Sequence, residues 1–132
     1  MGFDQYHEPA GELSAETRTF ARMCANLTEE AEAISWYEQR MSLEPDATAR
    51  AIMNDSLGEE FKHFCMDLEF LLRRTPLWHE IARGILFRDG DIVMNAENAE
   101  AAAGAATGAP AAPASPAPDP SLGIGSLKGR ES

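Results

Sequence analysis

Two long stretches of the chain carry apolar side chains at the three- and four-residue spacing of an amphipathic helix. The first stretch follows Ser14, a residue suited to a helix N-cap, and continues to about Met41. The second is predicted to begin at about Pro45, which suits the first turn of a helix, and to end at Arg74. Because only a few residues separate the two stretches, they predict an antiparallel helical hairpin.

Three further segments follow the hairpin. Thr75-Pro76 predicts the start of a short third helix. Residues 95–120 are mostly Ala, Pro and Gly, so we expect a disordered linker that joins no core. Apolar residues return in 121–132, which we interpret as a terminal peptide. The sequence therefore predicts an all-α domain at 1–94 with a disordered C-terminal tail.

The composition limits the classes of partner and compartment. With 132 residues and a formal net charge of −11, the chain is poorly suited to bind nucleic acid or an anionic membrane surface. No apolar run is long enough to span a bilayer, and residues 1–10 lack the pattern of a signal peptide. Cys24 and Cys65 lie within apolar segments, which indicates reduced thiols and not a disulfide framework. We therefore expect a soluble cytoplasmic protein.

Both long helices carry polar side chains next to their apolar stripes. Glu30 and Tyr37 are seven residues apart, so they project from nearly the same side of the first helix. Glu60 falls within the apolar stripe of the second helix, and His63 lies one turn further on. Because an unpaired carboxylate is costly to bury, a cation is one way to compensate its charge. Carboxylates with one imidazole per metal suit iron or manganese, and Tyr37 can hydrogen-bond a ligand or approach the metal.

These side chains amount to half of a binuclear centre. Di-iron helical bundles take a Glu from each of two helices and a Glu-x-x-His pair from each of the other two. This sequence contains each element once, so a complete centre requires two copies of the chain. A bare hairpin leads to the same expectation of oligomerisation, because it exposes one apolar face.

Other interpretations of the same residues stay open on sequence alone. Glu30 can pair with an arginine across a helix–helix seam, and His63 can be a hydrogen-bonded interface histidine. Glu29 and Glu32 flank Glu30, and they form either a solvated acidic surface or a feeder site that guides cations inward.

The terminal peptide alternates three apolar residues, Leu122, Ile124 and Leu127, with Gly and Ser. Such a segment cannot fold alone, but it suits an extended peptide whose side chains fill pockets of a partner. The alternative is a tail with no binding role.

Together these residues resemble the encapsulated ferritin family, whose members are short ferritin-like proteins carried as cargo inside encapsulin nanocompartments. The resemblance covers residues 7–90 and includes EEAEAISWYEQR at 29–40, EEFKH at 59–63 and LEFLLRR at 68–74. Separately, LGIGSLK at 122–128 resembles the encapsulin cargo-loading peptide.

The resemblance implies a ferritin-like fold in which the hairpin and its short third helix complete a four-helix bundle on dimerisation. The dimers are expected to assemble into a ring, a decamer by resemblance. The ferroxidase ligands of the family fall on Glu30, Glu60 and His63, with Tyr37 nearby, and two irons are expected at each dimer interface.

The resemblance also assigns the family's outer metal-access carboxylates to Glu29 and Glu32. The chain departs from the family at Lys62, where members often carry an acid, and at Gly58 and Phe61. These departures leave the ligands intact but change the local charge and the route by which iron arrives.

The resulting hypothesis is a ferroxidase that oxidises Fe(II) with dioxygen for iron mineralisation and storage. Its location is the cytoplasm, inside an encapsulin nanocompartment whose shell protein binds the terminal peptide. The alternative is a non-enzymatic metal-binding scaffold or iron-delivery cargo protein in the same shell. A haemerythrin-like oxygen carrier matches less well, because its di-iron site needs several histidines per chain and this sequence has only His7, His63 and His79.

Overall fold

The computed structural model describes residues 6–107, and every regular element in that range is helical. A 3₁₀ turn at Ala10–Glu12 precedes the first helix. The four α-helices are α1 (Ala15–Leu43), α2 (Ala47–Arg74), α3 (Pro76–Ile85) and α4 (Ile92–Thr107). The predicted all-α class is confirmed. The predicted tail beyond residue 107, including the terminal peptide, lies outside the described residues.

Side-chain caps fix where α1 and α2 begin. The Ser14 hydroxyl accepts a hydrogen bond from the Thr17 backbone N–H at 3.1 Å, which confirms the predicted start of α1. In α2 the cap is Asp46, whose carboxylate accepts from the Ala49 N–H at 2.7 Å. Pro45 therefore lies before the cap and not in the first turn, so α2 begins two residues later than predicted. The carboxylate satisfies a free N–H group at the helix end.

The two long helices pack antiparallel along one another, because only residues 44–46 join them. The Arg50 guanidinium donates to the backbone carbonyl of Glu44 and ties this turn to α2. Ala25 of α1 and Leu57 of α2 are buried, but most of the predicted apolar stripe is only half-buried. A single pair of helices has no second layer to cover the remaining surface.

The short third helix is confirmed at Pro76–Ile85, with Pro76 in its first turn. Thr75 links α2 to α3, and its backbone N–H donates to the Leu72 carbonyl at 3.2 Å. Its side chain makes no capping hydrogen bond. Leu71, at the end of α2, has no exposed surface, and Leu72 is also buried.

A fourth helix occupies the region in which the sequence predicted the start of a disordered linker. That prediction is wrong for residues 95–107, because α4 covers Ile92–Thr107. The Asp91 carboxylate caps α4 by accepting from the Met94 backbone N–H at 2.8 Å. Ala has the strongest helix propensity, and no proline interrupts the chain before Pro110. The alanine content of residues 95–107 therefore favours a helix, although their low complexity is typical of a linker.

Small residues let α3 and α4 approach closely. Ala82 on α3 and Ala99 and Ala103 on α4 are buried. A Cβ placed on Gly84 would overlap the Cβ of Ala99 and lie 3.2 Å from its Cα. The turn between the helices contains Gly90 at φ +96°, a backbone conformation that favours glycine. The alanines of α4 thus form the surface that packs on α3.

Large apolar side chains remain exposed along all four helices of the described region. Eleven of them are exposed: Trp36, Leu43, Ile52, Phe61, Met66, Leu77, Leu86, Phe87, Ile92, Val93 and Met94. So much apolar surface is typical of a chain that packs against another protein. Within residues 6–107, no helix has both the length and the hydropathy that a membrane span requires.

Candidate metal centre

The hairpin brings three potential metal ligands together across its two helices. Glu30 lies in the middle of α1, while Glu60 and His63 lie one turn apart on α2. One donor atom from each residue lies within 4.8 Å of the other two. His63 Nδ1 is 3.6 Å from a Glu60 oxygen and 4.0 Å from a Glu30 oxygen. The antiparallel register of α1 and α2 therefore gathers the set that the sequence singled out.

The proximity of the two carboxyl groups favours the protonated form of Glu30. The pKa of Glu30 is raised to about 7, first by a hydrogen bond to Glu60, then by burial and by the negative charge of Glu60. Asp67 raises this pKa further, and His63 opposes the increase. The Glu30 and Glu60 side chains are 21% and 19% exposed, so water screens their repulsion only in part. The proton on Glu30 thus compensates the same negative charge that a bound cation would compensate.

Asp67 is a third acidic residue beside this cluster, and the predicted ligand set does not include it. It is 8% exposed, and burial raises its pKa. Its Oδ2 atom is buried and has no hydrogen-bond partner among residues 6–107. Its position four residues after His63 is the sequence signal that identifies it.

The donor chemistry of the cluster suits iron or manganese. Two carboxylates and one imidazole provide hard oxygen donors with one borderline nitrogen donor. One chain supplies one Glu and one Glu-x-x-His pair, whereas di-iron helical bundles use two of each. The cluster is also open on one side, because the His63 side chain is 44% exposed. An open groove runs beside it, lined by Leu27, Thr28, Ala31, Glu32, Ser35 and Phe64.

The remaining predicted site residues lie outside the three-residue cluster. Tyr37 is half-buried, about 10 Å further along α1, and the Arg40 guanidinium lies 5.5 Å from the centre of its ring. Glu29 and Glu32 are exposed on α1, and Glu32 borders the groove. Their predicted roles stay predictions, as do those of Leu122, Ile124 and Leu127, which lie outside the described residues.

Lys62 and Phe61, two departures from the pattern of the family, leave the cluster unobstructed. The Lys62 ammonium pairs with Glu59, and both side chains are exposed. This ion pair lowers the pKa of Glu59. Phe61 is also exposed, at 52%. Lys62 therefore compensates a surface acid and does not neutralise Glu60.

The EncFtn-like family model matches residues 5–89, the segment that contains the hairpin, the cluster and α3. The chain belongs to the EncFtn-like family.

Relatives of this EncFtn-like chain have similar sequences over most of their length. It is 41% identical over 123 residues to an encapsulated ferritin-like protein of Rhodospirillum rubrum, covering 93% of this chain and 87% of that protein. It is 45% identical over 89 residues to a ferritin-like protein of Thermotoga maritima, covering 67% of this chain and 78% of that protein. Among solved structures, protein ne0167 from Nitrosomonas europaea matches with a TM-score of 0.66 and 37% identity, covering 67% of this chain and 98% of that one.

Proposed function

We propose that the protein is a ferroxidase that oxidises Fe(II) with dioxygen at a di-iron centre shared by two chains. The observation that carries this proposal is the convergence of Glu30, Glu60 and His63 on one open side of the hairpin. Three ligands from each of two chains give four carboxylates and two imidazoles, the set found in di-iron helical bundles. Membership of a ferritin-like family supports iron as the metal.

Each side chain has a defined task in this reaction. The Glu60 carboxylates bridge the two Fe(II) substrates, while Glu30 and His63 bind each metal from its side. Two irons held close together give dioxygen two electrons from adjacent donors. Carboxylate oxygens are hard ligands, so they favour the Fe(III) product over Fe(II). Glu30 releases its proton when iron binds, because the metal then compensates the charge of the pair.

A second copy of the chain completes the centre and covers the apolar surface. The groove beside the cluster is lined mainly by small and apolar side chains, which suit a packed helix. The resulting dimer is a four-helix bundle with the metals at its centre, and the dimers form a ring that is expected to be a decamer.

Iron reaches the centre through the outer carboxylates. Glu29 and Glu32 are exposed on α1 on either side of Glu30, where they can attract Fe(II). Tyr37, on the same helix, then hydrogen-bonds a metal ligand or approaches the metal in the assembled bundle.

The oxidised iron is stored in a shell and not within this protein. Small helical bundles enclose no space for a mineral, and a relative from Rhodospirillum rubrum is described as encapsulated. We therefore propose that residues 121–132 bind the encapsulin shell protein, with Leu122, Ile124 and Leu127 as anchors. The protein then acts in the cytoplasm, inside an encapsulin nanocompartment.

Fe(II) oxidation by the full-length protein in air tests the ferroxidase proposal. We expect Glu30→Gln and His63→Ala to lower the initial rate by at least about tenfold, since even the outer-shell partners of metal ligands are worth about 10–100-fold. Glu38→Gln is the matched control, because Glu38 is an exposed carboxylate on the same helix. Its rate should equal that of the unmodified protein.

Two results would contradict the proposal. Oxidation no faster than the uncatalysed background would exclude a ferroxidase, and stoichiometric metal binding without turnover would favour a scaffold or delivery protein. Native mass spectrometry with and without Fe(II) tests the shared centre, and a stable monomer that binds two irons would disprove it. A haemerythrin-like carrier gains no support, because His63 is the one histidine in the cluster.

A further inference from the structure

We infer that Asp67 is a positioning residue that orients His63 for metal binding. In this arrangement, the Asp67 carboxylate accepts a hydrogen bond from the Nε2–H group of His63, leaving the Nδ1 lone pair free for the metal. The inference rests on the proposed metal centre and adds a residue that does not contact the metal.

The burial of Asp67 makes it unusual in this protein. It is the one charged or polar residue that is buried among residues 6–107, and its Oδ2 atom has no hydrogen-bond partner there. Burying an unpaired carboxylate generally destabilises a folded protein by several kcal/mol, so the Asp67 carboxylate does not stabilise the fold. A leucine at this position would pack at least as well on an apolar helix surface. The carboxylate therefore calls for a role outside packing.

The helical geometry places Asp67 one turn beyond His63, on the same side of α2. The two residues are four apart on α2, and Glu60, His63 and Asp67 fall within about 60° of arc on one side of the helix. Side chains on a helix lean toward its N-terminus, so Asp67 covers the turn that carries His63. The two groups lie close enough for their charges to interact.

The contacts of the His63 ring leave one nitrogen available. Nδ1 faces the ligand carboxylates, at 3.6 Å from Glu60 and 4.0 Å from Glu30. Nε2 is therefore the nitrogen left for another partner. A ligating histidine generally donates its second N–H to a carboxylate or carbonyl, which fixes the tautomer and raises the basicity of the ligand. Asp67 supplies such a carboxylate.

Zn(II) binding to the full-length apo protein tests this role without iron oxidation. We expect Asp67→Leu to weaken Zn(II) binding by about 10–100-fold, the usual cost of losing an outer-shell partner. The same substitution should raise the melting temperature of the apo protein, because it removes an unpaired buried carboxylate. Weaker Zn(II) binding together with a higher apo melting temperature identifies a positioning residue. Loss of a structural residue would instead lower the apo melting temperature. Asp55→Asn, an exposed carboxylate on α2, should change neither quantity.

Asp67→Asn provides a second test that keeps the side-chain shape. We expect it to weaken Zn(II) binding and to shift the visible absorption bands of the Co(II)-substituted protein, because the imidazole loses its anionic partner. If Asp67→Leu does not fold, Asp67→Asn decides the question alone.

The possible failures point to different proposals. No Zn(II) or Co(II) binding by the unmodified protein would overturn the metal centre itself. Normal binding by the unmodified protein together with unchanged affinity in both Asp67 variants would overturn only the positioning role. A lower apo melting temperature for Asp67→Leu would show that Asp67 serves the fold, and it would also overturn the inference.

Discussion

At the scale of single residues, the chemistry of this protein follows from two carboxylates held close together. Glu30 and Glu60 come from different helices, and a hydrogen bond to Glu60, followed by burial and the negative charge of Glu60, raises the pKa of Glu30 to about 7. In the folded apo protein, the negative charge of the Glu30 and Glu60 carboxylates is therefore compensated only by a proton or a cation. Glu59, an exposed acid next to Glu60 in the sequence, is instead compensated by an ion pair with Lys62. This contrast distinguishes a candidate site from a solvated acidic surface.

The raised pKa of Glu30 predicts how apo stability depends on pH. Between its ordinary pKa of 4.5 and about 7, the folded protein holds a proton that the unfolded carboxyl has released. The free energy of unfolding should therefore fall as pH rises through this window, and the loss should be complete above about pH 7. Urea unfolding of the metal-free protein at several pH values measures the slope.

Glu30→Gln serves as the control for this titration, because glutamine does not titrate. The variant should lose the part of the slope that Glu30 contributes and become more stable than the unmodified protein above about pH 7. Equal slopes for the two proteins would show that Glu30 carries no raised pKa. Glu60, His63 and Asp67 are the other charged groups that act on Glu30, so their contribution remains in both curves.

At the scale of helices, α1 and α2 follow the hydrophobic pattern, whereas α4 depends on propensity and small-residue packing. Asp91 caps α4, and Ala99 and Ala103 on this helix are buried. Helices rich in alanine have little apolar area to bury, so a close approach between backbones must supply the contact. Gly84 permits that approach.

Gly84→Ala tests the close packing of α3 on α4. The new Cβ would overlap the Cβ of Ala99, so we expect a loss of stability of about 1–3 kcal/mol, typical of overpacking. Gly58→Ala is the matched control, because a Cβ there meets no atom within 4 Å. That variant should gain about 0.5–1 kcal/mol from the higher helix propensity of alanine. Chemical denaturation of both variants measures the difference, and equal effects would contradict the packing of α4 on α3.

At the scale of the whole molecule, the chain has too little core to account for its apolar surface. Seven apolar residues are buried in the described region, and four of them are alanines: Ala25, Leu57, Leu71, Leu72, Ala82, Ala99 and Ala103. The exposed apolar side chains and the half-set of metal ligands both point to association with another chain. The proposed binding of a shell protein by the terminal peptide would add a second level of assembly.

Co-expression with an encapsulin shell protein tests the role of that peptide. Leu122→Ser, Ile124→Ser and Leu127→Ser together should abolish co-purification with the shell, because the pockets lose their apolar anchors. Fe(II) oxidation by the isolated variant should stay unchanged. The matched control, Ser121→Ala with Ser126→Ala, should co-purify as the unmodified protein does. Retention of the triple variant in the shell would disprove the docking role.

The sequence by itself determined the helical class, the limits of α1 and α2 to within a few residues, the start of α3, and the inventory of potential ligands. These properties are local, because hydrophobic spacing and capping residues act within one or two helical turns. The half-set of ligands followed from counting Glu30, Glu60 and His63 against a known di-iron pattern. For α4, the capping residue and the alanines were present, but their low complexity favoured the wrong prediction.

Only the tertiary structure decided which side chains meet and which are buried. The distance between Glu30 and His63 depends on the register of α1 against α2, which no periodicity within one helix fixes. The burial of Asp67 and the raised pKa of Glu30 depend likewise on neighbouring residues from two helices. Hydrophobic periodicity orients a side chain around its own helix axis, but a metal site requires donors from separate helices to converge at one point. That convergence is a property of packing.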